Sequence, residues 1–273
     1  MSTSPQALPS LTKRLRSATA LRSLVLPLLL LFAWTLLTQL RLVNPHLVVG
    51  PERVLTRFVI ELREGELVTQ LLASLRRDLL GFAIGALLGV GVGSAMGLST
   101  LYERLFGPSF HAAKQVAIFA WIPLMSVWLG TGEQAKVAFI ALSAFYPIVI
   151  ATYQGIRGAA REHLEVAKAY RFTRWQTFRK VIWPSALPAV LGGVHLGLIY
   201  AWLGTIGAEY LLAPGYGVGN IMISGRESLA MDKVLLGIVL IGGVGAALNA
   251  LAGRLEAHLL RWRVSAFARQ QSG

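Results

Sequence analysis

Residues 155–188 read GIRGAAREHLEVAKAYRFTRWQTFRKVIWPSALP, the one long polar interval in an otherwise apolar chain. The interval is strongly basic: Arg157, Arg161, Lys168, Arg171, Arg174, Arg179 and Lys180 face only Glu162 and Glu165. Apolar segments long enough to cross a bilayer lie on either side of it. A basic interval between two spans belongs on the cytoplasmic side, where Lys and Arg are retained.

Within it, Leu164, Ala167 and Tyr170, with Val166 flanking, recur at helical spacing and predict a short amphipathic helix. Trp175, Phe178 and Ile182 continue the period until Pro184 and Pro188, which are expected to interrupt it. Such a helix cannot be a span, because its charges are too costly in hydrocarbon. It lies against the membrane or docks in a partner's groove, or the whole interval is a solvated loop; periodicity leaves both open.

Working outward, the 273 residues are 55% hydrophobic and 14% charged, with a mean hydropathy of +0.59. That is the composition of an all-α protein with several membrane spans. The net charge of +13 falls between spans, and no basic cluster interleaved with exposed aromatics points to nucleic acid. The absence of cysteine excludes disulfides, thiolate metal sites and Cys nucleophiles.

Six spans are predicted, at about 24–40, 79–98, 113–129, 137–153, 186–206 and 234–251. They form one membrane domain over 24–251, with a polar tail at 1–23 carrying Lys13, Arg14, Arg16 and Arg22 and a second at 252–273. The first apolar run is too long for a signal-peptide core, and no small-x-small cleavage site follows it. Residues 52–72 have a helical rhythm suited to the outer interface. A short loop with Glu103, Arg104 and Lys114 leads into the third span, which Pro123 is expected to kink. With both termini cytoplasmic, 17 Lys/Arg and 4 acids fall inside, against 9 and 9 outside. The whole excess of positive charge is then cytoplasmic, as the positive-inside rule requires.

In the second span Gly81, Gly85, Gly89, Gly93 and Gly97 recur every fourth residue. Small residues on one face let helices approach closely in lipid, so this stripe reads as packing and not as chemistry. His46, His111, His163, His195 and His258 stand singly and form no metal pair; no metal site is expected. His195 falls inside the fifth span and is a candidate pathway residue, with a hydrogen-bonded packing role as the alternative. Glu209 and Tyr210 close that span ahead of the turn APGYGVGN. There Gly217 and Gly219, with Arg226 beyond them, make a candidate outer gate or partner surface, or a plain surface turn. Span interiors carry almost no ionisable residues, which argues against a carrier with buried carboxylate relays. Neither a GxxxxGK[ST] phosphate loop nor a GxSxG nucleophile motif occurs, so ATP cannot bind by the Walker route, and no enzyme activity is expected.

The basic interval resembles the cytoplasmic EAA loop of ABC importer permeases, in which Glu-Ala-Ala, three residues, Gly, nine residues and Ile-x-Leu-Pro follow in order. Here Glu165-Val166-Ala167 is followed by Arg171 at the glycine position and by Val181-Ile182-Trp183-Pro184. Glu165, Ala167 and Pro184 match and Val181 is conservative. Val166, Arg171 and Trp183 depart, Arg171 where the family's glycine permits a turn that Arg makes less readily. The segments GELVTQLLASLRRDLLGFAIGALLGVGVGSAMGL, IPLMSVWLGTGEQAKVAFIALSAFYPIVIATYQGIRG and AWLGTIGAEYLLAPGYGVGNIMISGRE look like permeases of the nitrate, sulfonate and taurine importer group, over about residues 40–263.

The resemblance implies an inner-membrane permease that binds no cofactor itself, with ATP and Mg²⁺ on two partner ATPase subunits. A second permease copy, making a homodimer, and an extracytoplasmic solute-binding protein are implied as well. The helix around Glu165, Tyr170 and Arg171 is the expected coupling helix between spans four and five. A small organic anion such as a sulfonate is the expected solute. A stand-alone carrier or channel and a purely structural subunit are the rival readings; a carrier should show internal repeats, and no convincing repeat is found.

Overall fold

The computed structural model describes residues 10–40, 42–44, 48–212 and 215–261, and every regular element among them is helical. The sequence-based readings of residues 1–9 and 262–273, of His46 and of Ala213-Pro214 lie outside the described residues. The fold is built on the glycine stripe. It lies on α3 (Glu66–Leu98), whose partner is α6 (Glu133–Arg157). A Cβ on Gly81 would sit 2.5 Å from Ile140, on Gly85 2.4 Å from the Ala141 carbonyl, and on Gly89 2.9 Å from Ile148. On Gly93 it would meet Thr152 at 2.7 Å, and on Gly97 Ile156 at 2.8 Å. The facing residue advances in step with the glycine, so α3 and α6 run parallel in backbone contact.

Helix α9 (Trp183–Leu211) packs on the other side of α6 and antiparallel to it: Gly193 meets Ala151, Gly197 meets Ile148 and Gly204 meets Ser143. Ile140, Ala144, Ile148 and Ala201 fill the interface. Of the span windows, α6 is the most enclosed, 56% buried, and α11 (Met231–Leu259) the least, 11%. Helix α6 is therefore the mast of the bundle, and its Glu133 and Arg157 ends define the two ends of the molecule.

Pro184 and Pro188 do not interrupt the helical period that Trp175, Phe178 and Ile182 carry. Helix α8 (Arg174–Thr177), a π turn at Phe178–Ile182 and α9 form one run of 38 residues. The Trp183 N–H reaches back five residues to the Phe178 carbonyl, and Pro184 falls in the first turn of α9, where a missing N–H is least costly. At the other end, the predicted interfacial helix over 52–72 is broken. Helix α2 (Pro51–Arg63) ends ahead of Gly65, whose φ of 77° turns the chain into α3 at Glu66, well before the expected start near residue 79. Glu61 on α2 is buried against Arg57 at 2.9 Å and Lys233 at 3.3 Å, tying α2 to the start of α11.

The predicted short loop is replaced by a helix, and the third span is broken ahead of Pro123 and not kinked at it. Residues 100–113 are α4 (Thr100–Ala113), followed by a one-turn 3₁₀ helix at Ile118–Trp121 and by α5 (Ile122–Leu129), and the two parts meet at 95°. The break falls ahead of Pro123, which lies in the first turn of α5, where proline is tolerated. Helices α3, α6, α8–α9 and α11 are long and apolar enough to cross a membrane, and the bent α4–α5 pair makes a fifth if counted as one span. Helix α1 (Ser10–Gln39) contributes a shorter apolar stretch at Val25–Gln39. The remaining helices are α7 (Arg161–Ala169), on the loop beyond α6, and α10 (Val218–Glu227), packed against α11.

Candidate functional site

At the Glu133 end, a polar cluster is buried among α3, α6 and α9. Arg77, 4% exposed, donates to Glu209 Oε1 and to Glu133 Oε2, each at 2.5 Å, and to the Tyr216 carbonyl. Glu209, 3% exposed, also accepts from Ser74 Oγ at 2.6 Å and from the Gly219 N–H at 2.9 Å. Ser74 Oγ in turn accepts from the Val218 N–H at 2.8 Å, and Gln70 accepts from the Gly217 N–H. The orphan amides that open any helix are thus satisfied, in α10, by side chains of α3 and α9 instead of by a local cap. The turn between α9 and α10 is closed by a clasp built from Gln70, Ser74 and Arg77 of α3 and Glu209 of α9.

Two glycines are required by this geometry. Gly217 has a φ of 152°, and a Cβ there would stand 2.4 Å from the Glu209 carboxyl; on Gly219 it would meet Glu209 Cβ at 2.7 Å. Lys136, 3% exposed, has Glu133 Oε1 at 3.8 Å as its counter-charge, and Thr205 Oγ1 donates to Asp78 at 3.0 Å one turn deeper. Tyr210 and Arg226 meet on the exposed rim, where the guanidinium donates to the phenol oxygen at 2.9 Å and lies over the ring. The structure therefore brings Glu209, Gly217 and Gly219 together with buried groups and leaves Tyr210 and Arg226 as a separate surface pair.

At the Arg157 end, α7 projects from the bundle. Ala167 is buried, while Glu165, Val166 and Tyr170 are exposed, and Glu165 has no hydrogen-bond or ion-pair partner among the described residues. Arg171 takes the left-handed conformation, φ 54°, that glycine favours. The Arg171 N–H bonds the Lys168 carbonyl at 2.9 Å, and the Phe172 N–H bonds Ala167 at 3.0 Å. This is the paired bonding of a Schellman cap, so the turn expected of the family's glycine is made with arginine in its place. Thr173 and Gln176 then cap α8 reciprocally, restarting the helix that carries Pro184.

His195 links α9 to α11, with Nδ1 2.9 Å from Glu256 Oε2 and Nε2 2.9 Å from Asn249 Oδ1. Glu103 on α4 accepts from the Tyr153 hydroxyl and the Arg157 guanidinium, fastening α4 to the end of α6. Among the described residues no group of three His, Asp or Glu side chains is placed to hold a metal ion.

A family model described as the binding-protein-dependent transport system inner membrane component matches residues 81–261. The chain belongs to this family. This importer permease is 36% identical over 245 residues to the putative aliphatic sulfonates transport permease protein SsuC of Bacillus subtilis, covering 90% of this chain and 88% of that one. It is 32% identical to the taurine transport system permease protein TauC of Escherichia coli, with 85% and 86% of the two chains covered. With the bicarbonate transport system permease protein CmpB of Synechococcus elongatus it shares 29% identity over 70% of this chain and 69% of that one. In fold it matches the MetNI methionine ABC transporter in inward-facing conformations, with a TM-score of 0.59 at 19% identity over 68% of this chain and 92% of that one. An amino acid ABC transporter gives 0.61 at 14% identity over 75% and 97%. The chain is thus an inner-membrane transport subunit of an ABC importer and not an enzyme.

Sequence reasoning missed Ser74, Arg77, Asp78, Lys136 and Thr205. Hydropathy assigns residues 76–78 to an outer loop, and the span interiors then look free of charge; in the permease all three belong to α3, and Arg77 and Asp78 are buried. A signal was present. Four residues back along the glycine face from Gly81 is Arg77, on the same side of the helix.

Proposed function

We propose that this permease passes a small organic anion, of the sulfonate type, across the inner membrane, and that the anion is delivered by an extracytoplasmic solute-binding protein. Six spans are formed by Val25–Gln39, α3, the bent α4–α5 pair, α6, α9 and α11, with both termini in the cytoplasm. The parallel pairing of α3 with α6 supports this arrangement, because it needs one span between them to return the chain. The basic interval then falls on the cytoplasmic side and the Glu209 cluster on the outer side, as the distribution of Lys and Arg requires. The similarity to sulfonate, taurine and bicarbonate permeases supports a small oxyanion as the solute.

The observation that carries the mechanism is α7, a short helix closed by the Arg171 turn, whose Ala167 is buried while Glu165, Val166 and Tyr170 are presented outward. In this reading α7 is the coupling helix. It sits in a cleft of one of two partner ATPase subunits, which hold the ATP and Mg²⁺, and two permease copies form the path. A docked rigid helix passes the closure of its partner on to the attached spans as a rigid-body motion. At the far end, the Glu209 clasp and its glycines form the outer gate, with Tyr210 and Arg226 on its rim. The test is co-purification: Val166→Asp with Tyr170→Asp should lose the ATPase subunits while the chain stays folded. Retention of the ATPases by that variant, or Glu165→Ala with unchanged transport-coupled ATP hydrolysis, counts against the assignment.

A further inference from the structure

The break between α4 and α5 lies at an unusual depth. Helix α6 has 25 residues, and Phe145 is its midpoint. Phe110, near the end of α4, packs on Phe145 and Tyr146 with ring centroids 6.2 and 5.6 Å apart. Phe119, in the 3₁₀ turn, packs on Phe139 at 5.8 Å. Residues 111–118 therefore lie between the levels of Phe145 and Phe139, about 9 Å apart along the axis, inside the apolar slab and not at a cytoplasmic loop.

Non-helical backbone at that depth is tolerated only where it is enclosed by protein or lines a water-filled cavity. Yet Lys114 and Gln115 at the break, and His111 just before it, are exposed on the single chain. The Lys114 ammonium has no carboxylate or hydrogen-bond partner among the described residues. Trp121, just past the break, has a buried indole N–H that also lacks an acceptor among the described residues. An unpaired ammonium, a primary amide and a broken span at mid-depth are the features of a transport pathway and not of a lipid-facing surface.

We infer that the α4–α5 break is an anion subsite on the transport path, in which Lys114 supplies the charge and Gln115 a hydrogen-bonding amide for a small oxyanion. This rests on the importer reading and adds to it a place in the chain where the solute is met. An ammonium lining a narrow aqueous path between low-dielectric walls attracts an anion more strongly than one on an open surface, and its compact charge suits a sulfonate or carboxylate oxygen. Lys114→Gln leaves the bent backbone intact and removes the charge alone.

The chain contains no cysteine, so a single introduced thiol reports its own surroundings. The full-length chain in membrane vesicles, carrying Gln115→Cys, is treated with the anionic sulfonatoethyl and the cationic trimethylammonioethyl methanethiosulfonates. Leu87→Cys serves as the lipid-facing control: Leu87 is 77% exposed on α3, and the register that sets Gly85 against Ala144 and Gly89 against Ile148 places it at the level of Tyr146. Gln115→Cys is expected to react while Leu87→Cys stays inert. The ratio of anionic to cationic labelling is expected to fall about tenfold when Lys114→Gln is added, and to be kept with Lys114→Arg. Inertness at Gln115→Cys matching the Leu87 control, as when Lys114 merely reaches up to the interface, overturns the proposal. So does a ratio indifferent to Lys114→Gln. Loss of the importer reading shows separately, as absence of ATPase subunits from the chain purified out of the same vesicles.

Discussion

Arg171 shows how one residue can satisfy a motif it does not match. The turn after α7 needs a left-handed residue, and the chain supplies one at an arginine whose two cap hydrogen bonds are intact. A side chain in that conformation costs about 1 kcal/mol relative to glycine. Arg171→Gly is therefore expected to stabilise the loop by roughly that amount, read as slower hydrogen exchange of the α7 amides. Glu209 is the opposite case, a carboxylate that cannot be dispensed with. Its removal leaves Arg77 buried beside Glu133 alone, so Glu209→Ala should destabilise the permease by about 3–5 kcal/mol, measured by unfolding in detergent. Arg77→Met combined with Glu209→Leu should recover much of that loss, because replacing both charges leaves neither of them uncompensated.

Among the elements, α3 carries the largest information. Its glycine face admits α6 to backbone contact, and the limit is severe: at Gly85 a Cβ would lie 2.4 Å from the Ala141 carbonyl, a backbone atom that cannot swing aside. Gly85→Val should cost about 1–3 kcal/mol or prevent folding. Gly91 is on the same helix with nothing within 4 Å of its would-be Cβ, and Gly91→Ala should be neutral or stabilising. Monodispersity and melting temperature of the two variants in detergent separate these outcomes. The α9 run makes a related point: its two prolines are legible as a break, and only the π turn ahead of them shows how the helix continues.

At the scale of the whole molecule, the two ends of α6 carry different work. The Arg157 end carries α7, and there Glu103 fastens α4 to the last turns of α6. The Glu133 end holds the turn into α10 with side chains from α3 and α9. The permease should thus lose ATPase association, and not stability, on Val166→Asp with Tyr170→Asp, since both positions are exposed. Pull-down alongside a melting curve distinguishes the two effects.

The sequence by itself determined that this is a helical, multi-span membrane protein of an importer family, where the glycine contact face lies, and where the basic loop with its short helix falls. Those features are local: apolar length, four-residue spacing and charge between spans are complete within a few turns of chain. Tertiary structure alone decided that Arg77 and Asp78 are interior, that Ser74 and Glu209, 135 positions apart, share a hydrogen bond, and that the break carrying Lys114 falls between the levels of Phe145 and Phe139 on α6. Each of these depends on the axial register between helices distant in sequence. That register is set by how glycines, alanines and aromatic rings fit across the interfaces, and hydropathy carries no record of it.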